Sequence, residues 1–276
     1  MSANKFKGTG RYDNMFNALK DENEGAFIPF VMLGDPDVET SLEIILALVE
    51  GGADALELGI PYSDPIADGP TIQQASIRAL DSGVKPSHCM DIISKVREAY
   101  PDIPIGLLLY SNLVLAAGLD TFYKQASEAG VDSILIADVP IREVMPFMQI
   151  ATAHNIHQIM IAPPNASSET LSSLAELSSG YTYLLGRAGV TGAETAATIP
   201  TRDLIEKLDN YGVAPPVLGF GISQPQQVSA AIEAGAAGAI AGSATVNIIA
   251  ENLHDKALLT DKLRTFSREM KAATKR

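Results

Sequence analysis

The sequence predicts an α/β protein, a single (βα)8 TIM barrel with an extra N-terminal helix, with residues 1–276 as one domain. Three observations lead there. Eight short apolar runs alternate with amphipathic helical patterns along the chain. One boundary pattern, a helix end followed by glycine and a β-rich run, occurs three times. No linker or shift in composition divides the chain. A doubly wound open sheet is the alternative with the same alternation.

The boundary pattern reads Glu50-Gly51-Gly52-Ala53-Asp54-Ala55-Leu56-Glu57, then Glu128-Ala129-Gly130-Val131-Asp132-Ser133-Ile134-Leu135, then Glu233-Ala234-Gly235-Ala236-Ala237-Gly238-Ala239-Ile240. Its glycine suits the left-handed position that ends a helix before the chain turns into a strand. Gly52 and Gly235 bracket six units of about 30 residues each, the usual size of a βα repeat.

The strands are expected at Phe27–Met32, Ala55–Ile60, Ile105–Tyr110, Ile134–Ala137, Gln158–Ala162, Tyr181–Leu185, Val217–Phe220 and Gly238–Ala241. Most are apolar on both faces, as parallel strands under helices must be. Between them, Leu42, Ile45, Leu46 and Val49 follow a helical stripe. Leu204, Ile205 and Leu208 mark another, and Val228 with Ile232 a third, with Pro225 near its start. Tyr12–Lys20 reads as the added helix ahead of the first strand.

Composition narrows the function. With 46% hydrophobic and 19% charged residues, the chain suits a globular protein with a large core. A net charge of −13 argues against a nucleic-acid backbone as partner. No apolar run approaches the roughly 18 residues of a membrane span, and the N-terminus lacks the apolar stretch of a secretory signal. A cytoplasmic location is expected. Cys89 is the only cysteine and sits in a helical pattern, so a buried inert thiol is expected.

In such a barrel the chemistry sits at the C-terminal strand ends and the loops after them. In the second strand, alternation turns Leu56, Leu58 and Ile60 to one face and Ala55, Glu57 and Gly59 to the other. The bulky face suits the covering helices, so Glu57 points into the barrel. No Lys or Arg occupies any of the eight strands, so this carboxyl has no strand-borne cation. Desolvation is expected to raise its pKa toward the range of a neutral-pH acid/base. The loop that follows, Pro61-Tyr62-Ser63-Asp64-Pro65-Ile66-Ala67-Asp68-Gly69-Pro70, carries two aspartates. Either is a turn former by itself, and spacing alone favours neither as a second catalytic carboxylate.

Glycines crowd three other strand ends: Gly186-Arg187-Ala188-Gly189-Val190-Thr191-Gly192-Ala193, Gly219-Phe220-Gly221-Ile222-Ser223 and Ala241-Gly242-Ser243-Ala244. Barrels that bind phosphate hold it at the loops after strands seven and eight, on backbone N–H groups at a helix N-terminus. No strand end offers a lysine for a Schiff base. None of His88, His154, His157 and His254 falls at a strand's C-terminal end, so no metal site is expected. The histidines are expected at the surface or at helix ends. What remains is metal-free carboxylate chemistry on a phosphorylated substrate, with Phe30, Leu108, Tyr110, Tyr183 and Phe220 available for an aromatic ring.

At this point the run Leu56-Glu57-Leu58-Gly59-Ile60-Pro61-Tyr62-Ser63-Asp64-Pro65-Ile66-Ala67-Asp68-Gly69-Pro70-Thr71-Ile72-Gln73 resembles the signature of tryptophan synthase alpha subunits. The likeness covers nearly the whole chain, including Pro104–Leu108, Ala137–Pro140, Tyr181–Leu185, Gly189–Gly192 and Gly219–Ser223. The resemblance implies a lyase that cleaves indole-3-glycerol phosphate to indole and glyceraldehyde 3-phosphate. It implies Glu57 as the catalytic acid/base and Asp68 as the aspartate at the indole N–H. It implies Phe30, Leu108, Tyr183 and Phe220 as the indole pocket, Gly192, Gly221, Gly242 and Ser243 as the phosphate site, and Thr191 as the threonine of a closing lid. Gly186 and Ala188 stand where related chains often carry serine. The resemblance further implies docking to a tryptophan synthase beta subunit that carries pyridoxal phosphate, in an alpha2beta2 complex, with no cofactor in this chain. A different phosphosugar barrel and a silent barrel that only binds a partner are the rival readings, and free indole separates them.

Overall fold

The computed structural model describes residues 8–186 and 202–276. The chain enters through α1 (Arg11–Asp21), the added helix, and then follows the βα order of a barrel. The first half runs β1 (Ala26–Met32), α2 (Val38–Glu50), β2 (Leu56–Gly59), α3 (Pro70–Asp81), α4 (Pro86–Ala99) and β3 (Ile105–Leu109). It continues through α5 (Ser111–Ala117), α6 (Leu119–Ala129), β4 (Ser133–Ile136) and α7 (Met145–Ala153). The second half holds β5 (His157–Gln158), β6 (Met160–Ala162), α8 (Ser168–Leu177), β7 (Thr182–Leu184), α9 (Arg202–Tyr211) and β8 (Pro216–Leu218). It ends with α10 (Pro225–Glu233), β9 (Gly238–Ala241), α11 (Ser243–Glu251) and α12 (Lys256–Ala272).

All strand pairs are parallel, in the order β5-β4-β3-β2-β1-β9-β8-β7-β6. The first strand pairs with both the second and the last, through Phe30 opposite Glu57 and Ile28 opposite Ile240. A doubly wound sheet does not make that closure. Only Ile159 separates β5 from β6, and its N–H donates to Ile134 at 2.9 Å, continuing the β4 ladder. The two short stretches therefore occupy one position, and nine segments complete an eight-position barrel.

The boundary pattern acts as expected. Gly52, Gly130 and Gly235 have φ of +104°, +96° and +106°, and each stands between a helix and the next strand. Helix starts follow the same local logic: the Asp37 side chain accepts from Thr40 N–H to cap α2, and Pro225 opens α10.

Three apolar layers result. Leu56, Leu58 and Ile60 join Ile45, Leu48, Ile92 and Val96 outside one half of the barrel. Leu184, Leu218 and Ala239 join Leu171, Leu208 and Val228 outside the other. Phe30, Ala55, Tyr181, Tyr183, Val217, Phe220 and Ile240 fill the interior. Cys89 is buried in the first outer layer, and burial pushes its thiol up to about 12.

The helix α1 covers the N-terminal end of the barrel. Tyr12 is buried there, its hydroxyl 2.8 Å from Ser133 Oγ and its ring 5.5 Å from that of Tyr181. Beside it Asp132 is fully buried and receives Arg11 at 2.8 Å, Arg97 at 2.7 Å, Thr9 Oγ1 at 2.6 Å and the Ile105 N–H at 2.8 Å. His157 departs from the expectation of a surface histidine. It opens β5, is buried, and meets Tyr12 edge-on at 5.9 Å. Burial holds its pKa below the ordinary histidine value. Pattern reading starts that strand one residue late, because a polar residue at a strand's buried first position has no periodic signature. Among the described residues, no helix is long and apolar enough to cross a membrane.

Candidate functional site

At the C-terminal end of the barrel is a small, partly open cavity. Glu57 reaches it from β2, where the pairing of Leu56, Leu58 and Ile60 with the outer helices leaves the alternate face inward. Gly59, two residues on, leaves space for the Phe30 ring: a Cβ there would lie 2.8 Å from Phe30 Cζ. Phe30, Leu108, Tyr183 and Phe220 all line the cavity, the last two with their rings crossed at 86° and 6.4 Å apart. Tyr183 lies directly over Gly219, donating to its carbonyl at 2.7 Å, and a Cβ on Gly219 would penetrate the ring.

Asp68 comes to the same cavity from the loop between β2 and α3, and it is 6% exposed. Its N–H donates to the Pro65 carbonyl at 3.0 Å, and its carbonyl accepts from Gln73 Nε2 at 2.7 Å. Asp64, the other aspartate of the loop, faces solvent and accepts from Ser63. The structure therefore brings Asp68, not Asp64, into one site with Glu57.

A phenol holds Glu57: Tyr181 donates to Glu57 Oε1 at 2.9 Å. Beside Asp68, the Tyr110 hydroxyl accepts from the Ala67 N–H at 3.1 Å. Neither carboxyl is ion-paired among the described residues. Burial drives Glu57 up to about 7 against the opposing Tyr181 hydrogen bond. It drives Asp68 up to about 6, with the polar Tyr110 side chain opposing. Tyr181 was not foreseen as a partner of Glu57. Its signal was available, since Tyr181 and Tyr183 are two apart on one strand run and so share a face.

On the other wall, Gly221, Gly242 and Ser243 line the cavity. Gly221 has φ of +76°, a conformation a side chain strains. Gly242 is the N-cap of α11 with no side-chain cap, and the first turn closes with Val246 N–H on the Gly242 carbonyl. Helix geometry leaves the N–H groups ahead of that bond aimed out of the helix end. Ile72, Gly219, Ile222 and Ile240 also line the cavity and were not anticipated. Gly192 and Thr191, with Arg187 and Ala188, lie outside the described residues. Among the described residues, no group of three or more His, Cys, Asp or Glu is placed to hold a metal ion.

A site of this make-up, two buried carboxyls facing an aromatic pocket and a helix N-terminus, can move protons on a ring bearing an anionic tail. Residues 16–275 match the model of the family described as tryptophan synthase alpha chain. The chain belongs to that family. The tryptophan synthase alpha chain of Photobacterium profundum is 60% identical over 96% of this chain and 98% of its own length. That of Francisella tularensis is also 60% identical, over 96% and 99%. Among solved structures, Mycobacterium tuberculosis tryptophan synthase superposes with a TM-score of 0.86 at 29% identity, covering 96% of this chain and 98% of its own. A chain of the Pyrococcus furiosus tryptophan synthase a2b2 complex superposes at 0.80 with 34% identity, covering 90% and 98%. The eight-position barrel is thus the fold of the family.

Proposed function

We propose that Glu57 and Asp68 are the acid/base pair of the family's alpha reaction, the cleavage of indole-3-glycerol phosphate to indole and glyceraldehyde 3-phosphate. The observation that carries this reading is the pair itself: two buried carboxyls with unlike proton affinities on one aromatic cavity. At neutral pH Glu57, raised to about 7, populates both its protonated and its ionised form, and the protonated form starts the reaction while Asp68, about 6, is mostly ionised. Glu57 gives its proton to indole C3, and the Asp68 carboxylate accepts a hydrogen bond from N1–H as positive charge develops there, the proton staying on nitrogen. The Glu57 carboxylate then takes the proton of the side-chain hydroxyl. The C3–C bond breaks, its electrons return to the ring as indole, and the carbinol carbon leaves as the aldehyde. Glu57 ends protonated, as it began.

Phe30, Leu108, Tyr183 and Phe220 enclose the indole ring in this reading. Gly221, Gly242 and Ser243, with Gly192, hold the phosphate through backbone N–H groups. Thr191 closes the lid. None of the described cavity-lining residues is a lysine, which supports a chain with no cofactor of its own. Pyridoxal phosphate then belongs to a partner beta subunit, and the a2b2 complex named for the Pyrococcus neighbour supports such a partner. The face that docks it is the one carrying the β2–α3 loop, where Ile66 is 77% exposed. We read residues 1–276 as one cytoplasmic barrel domain.

The test is indole release from indole-3-glycerol phosphate by the purified chain, with and without a beta subunit. Indole formed by the unmodified chain and lost in Glu57→Gln supports the reading. Near-normal turnover in Glu57→Gln sinks it.

A further inference from the structure

The wall read as the phosphate site is built from two strand ends, and each leads into a helix. Gly242 opens α11 with no side-chain cap. The turn before α10, Gly221-Ile222-Ser223-Gln224, is built differently. Residues two apart on a strand share a face, yet Phe220 lies in the interior layer and Ile222 in an outer one. The chain therefore turns over at Gly221, whose φ of +76° lies in the left-handed region. One atom then catches the turn. Gln227, in the first turn of α10, accepts on Oε1 from the Ser223 N–H at 2.7 Å, the Ser223 hydroxyl at 3.0 Å and the Gln224 N–H at 3.0 Å.

A capping glutamine ordinarily reaches back only to the N-cap N–H, here that of Gln224. Gln227 reaches one residue further and takes a hydroxyl as well. The two N–H groups fix which end of the amide faces the turn, because its nitrogen would meet them donor to donor. At this wall α10 is thus closed by its own glutamine, whereas the start of α11 carries no side-chain cap and lines the cavity through Gly242 and Ser243.

We propose that Gln227 is the positioning residue of the phosphate wall. It keeps the Ser223 and Gln224 donors off the anion and, by holding the turn, aims the Gly221 N–H at it. The inference rests on the reading of Gly221, Gly242 and Ser243 as phosphate donors. Gln227 does not itself line the cavity, so it governs binding of the anion and leaves proton transfer alone.

Gln227→Met keeps the length of the side chain but removes the acceptor. The Ki of glycerol 3-phosphate, which carries the anion without the ring, is expected to rise at least about fivefold, and the KM for indole-3-glycerol phosphate with it. The kcat is expected to stay within about twofold, as is the Kd of indole, which carries the ring without the anion. An unchanged Ki overturns the proposal. So does a loss of indole binding as large as the loss of glycerol 3-phosphate binding, which is the mark of a merely structural role. Amide hydrogen exchange in the unmodified chain gives a second reading that does not depend on the variant folding. The Ser223 and Gln224 N–H groups are expected to be protected before any ligand is added, and the Gly221 and Ser243 N–H groups to gain protection from glycerol 3-phosphate. Ser223 and Gln224 amides that become protected only with the phosphate overturn the proposal and leave the phosphate reading standing. Gly221 and Ser243 amides that glycerol 3-phosphate leaves unprotected remove that reading, and the proposal with it.

Discussion

The two ends of the barrel bury carboxylates in opposite ways. At the N-terminal end, Asp132 accepts from two guanidinium groups, one hydroxyl and one backbone N–H. Every lone pair it offers has a strong donor, so its charge is matched where it lies. At the C-terminal end, Glu57 and Asp68 are buried with no cation among the described residues, Glu57 with the Tyr181 phenol as its partner. The first arrangement ties α1, α4 and the start of β4 together. The second leaves two protons poorly held near neutral pH, which is what acid/base chemistry requires. Burial is common to both ends. The partner makes one carboxylate a fastener and the other a reagent.

The largest effect expected from breaking this contrast is at the fastener. Asp132→Asn leaves Arg97 and Arg11 facing a neutral amide, and should cost about 3 kcal/mol of stability. Urea unfolding measures it, and the fraction still folded should keep its kcat. A loss of kcat without a loss of stability would contradict the division between the two ends. At the reagent end the expectation reverses. Glu57→Gln should lower kcat by at least ~10²-fold with no loss of stability at pH 7. Asp68→Asn should be severely impaired as well, whereas exposed Asp64→Asn should stay within about twofold. Greater damage from Asp64→Asn would mean that the loop presents a different carboxylate to the substrate.

A third expectation sharpens the comparison through pH. The folded pKa of Glu57, about 7, lies above its ordinary value of 4.5. The folded chain therefore binds this proton more tightly than the unfolded chain does. The resulting stability is fully present below about pH 4.5 and is lost as pH rises through about 7. Glu57→Gln cannot lose it. The variant should match the unmodified chain near pH 4.5 and exceed it at pH 8, by on the order of 2 kcal/mol. Burial also raises Asp35 and Asp54, so the comparison between the two chains, not the absolute slope, isolates Glu57. Thermal melts across that range check it, and parallel curves would show that Glu57 does not carry the displaced proton.

The smallest effect is expected at the phosphate wall. Ser243→Ala keeps the backbone N–H at the start of α11 and should raise KM by less than about threefold. A larger rise would move the phosphate from the backbone to the serine hydroxyl.

Local chemistry made much of this legible in advance. Glycines after helices, apolar runs and the alternation in Ala55–Ile60 are written within a few residues of one another. They predict the barrel order and the inward face of Glu57 without any knowledge of neighbours. The burial of His157 was missed because one polar residue at a strand start carries no periodicity. Asp64 and Asp68 could not be separated by spacing, since both sit in turn-forming contexts and only the family likeness favoured the second. Tyr181 is 124 residues from Glu57, and Tyr110 is 43 from Ala67, whose N–H it accepts. Such pairs exist only once the sheet closes, because closure sets which strand ends face each other. The sequence by itself thus determined the elements, their order and the carboxyl that points inward, all consequences of short-range periodicity. Tertiary structure alone decided which aspartate is buried beside it, which phenol holds Glu57 and in which direction burial displaces each proton, because desolvation and hydrogen bonding depend on neighbours that the chain brings together only by folding.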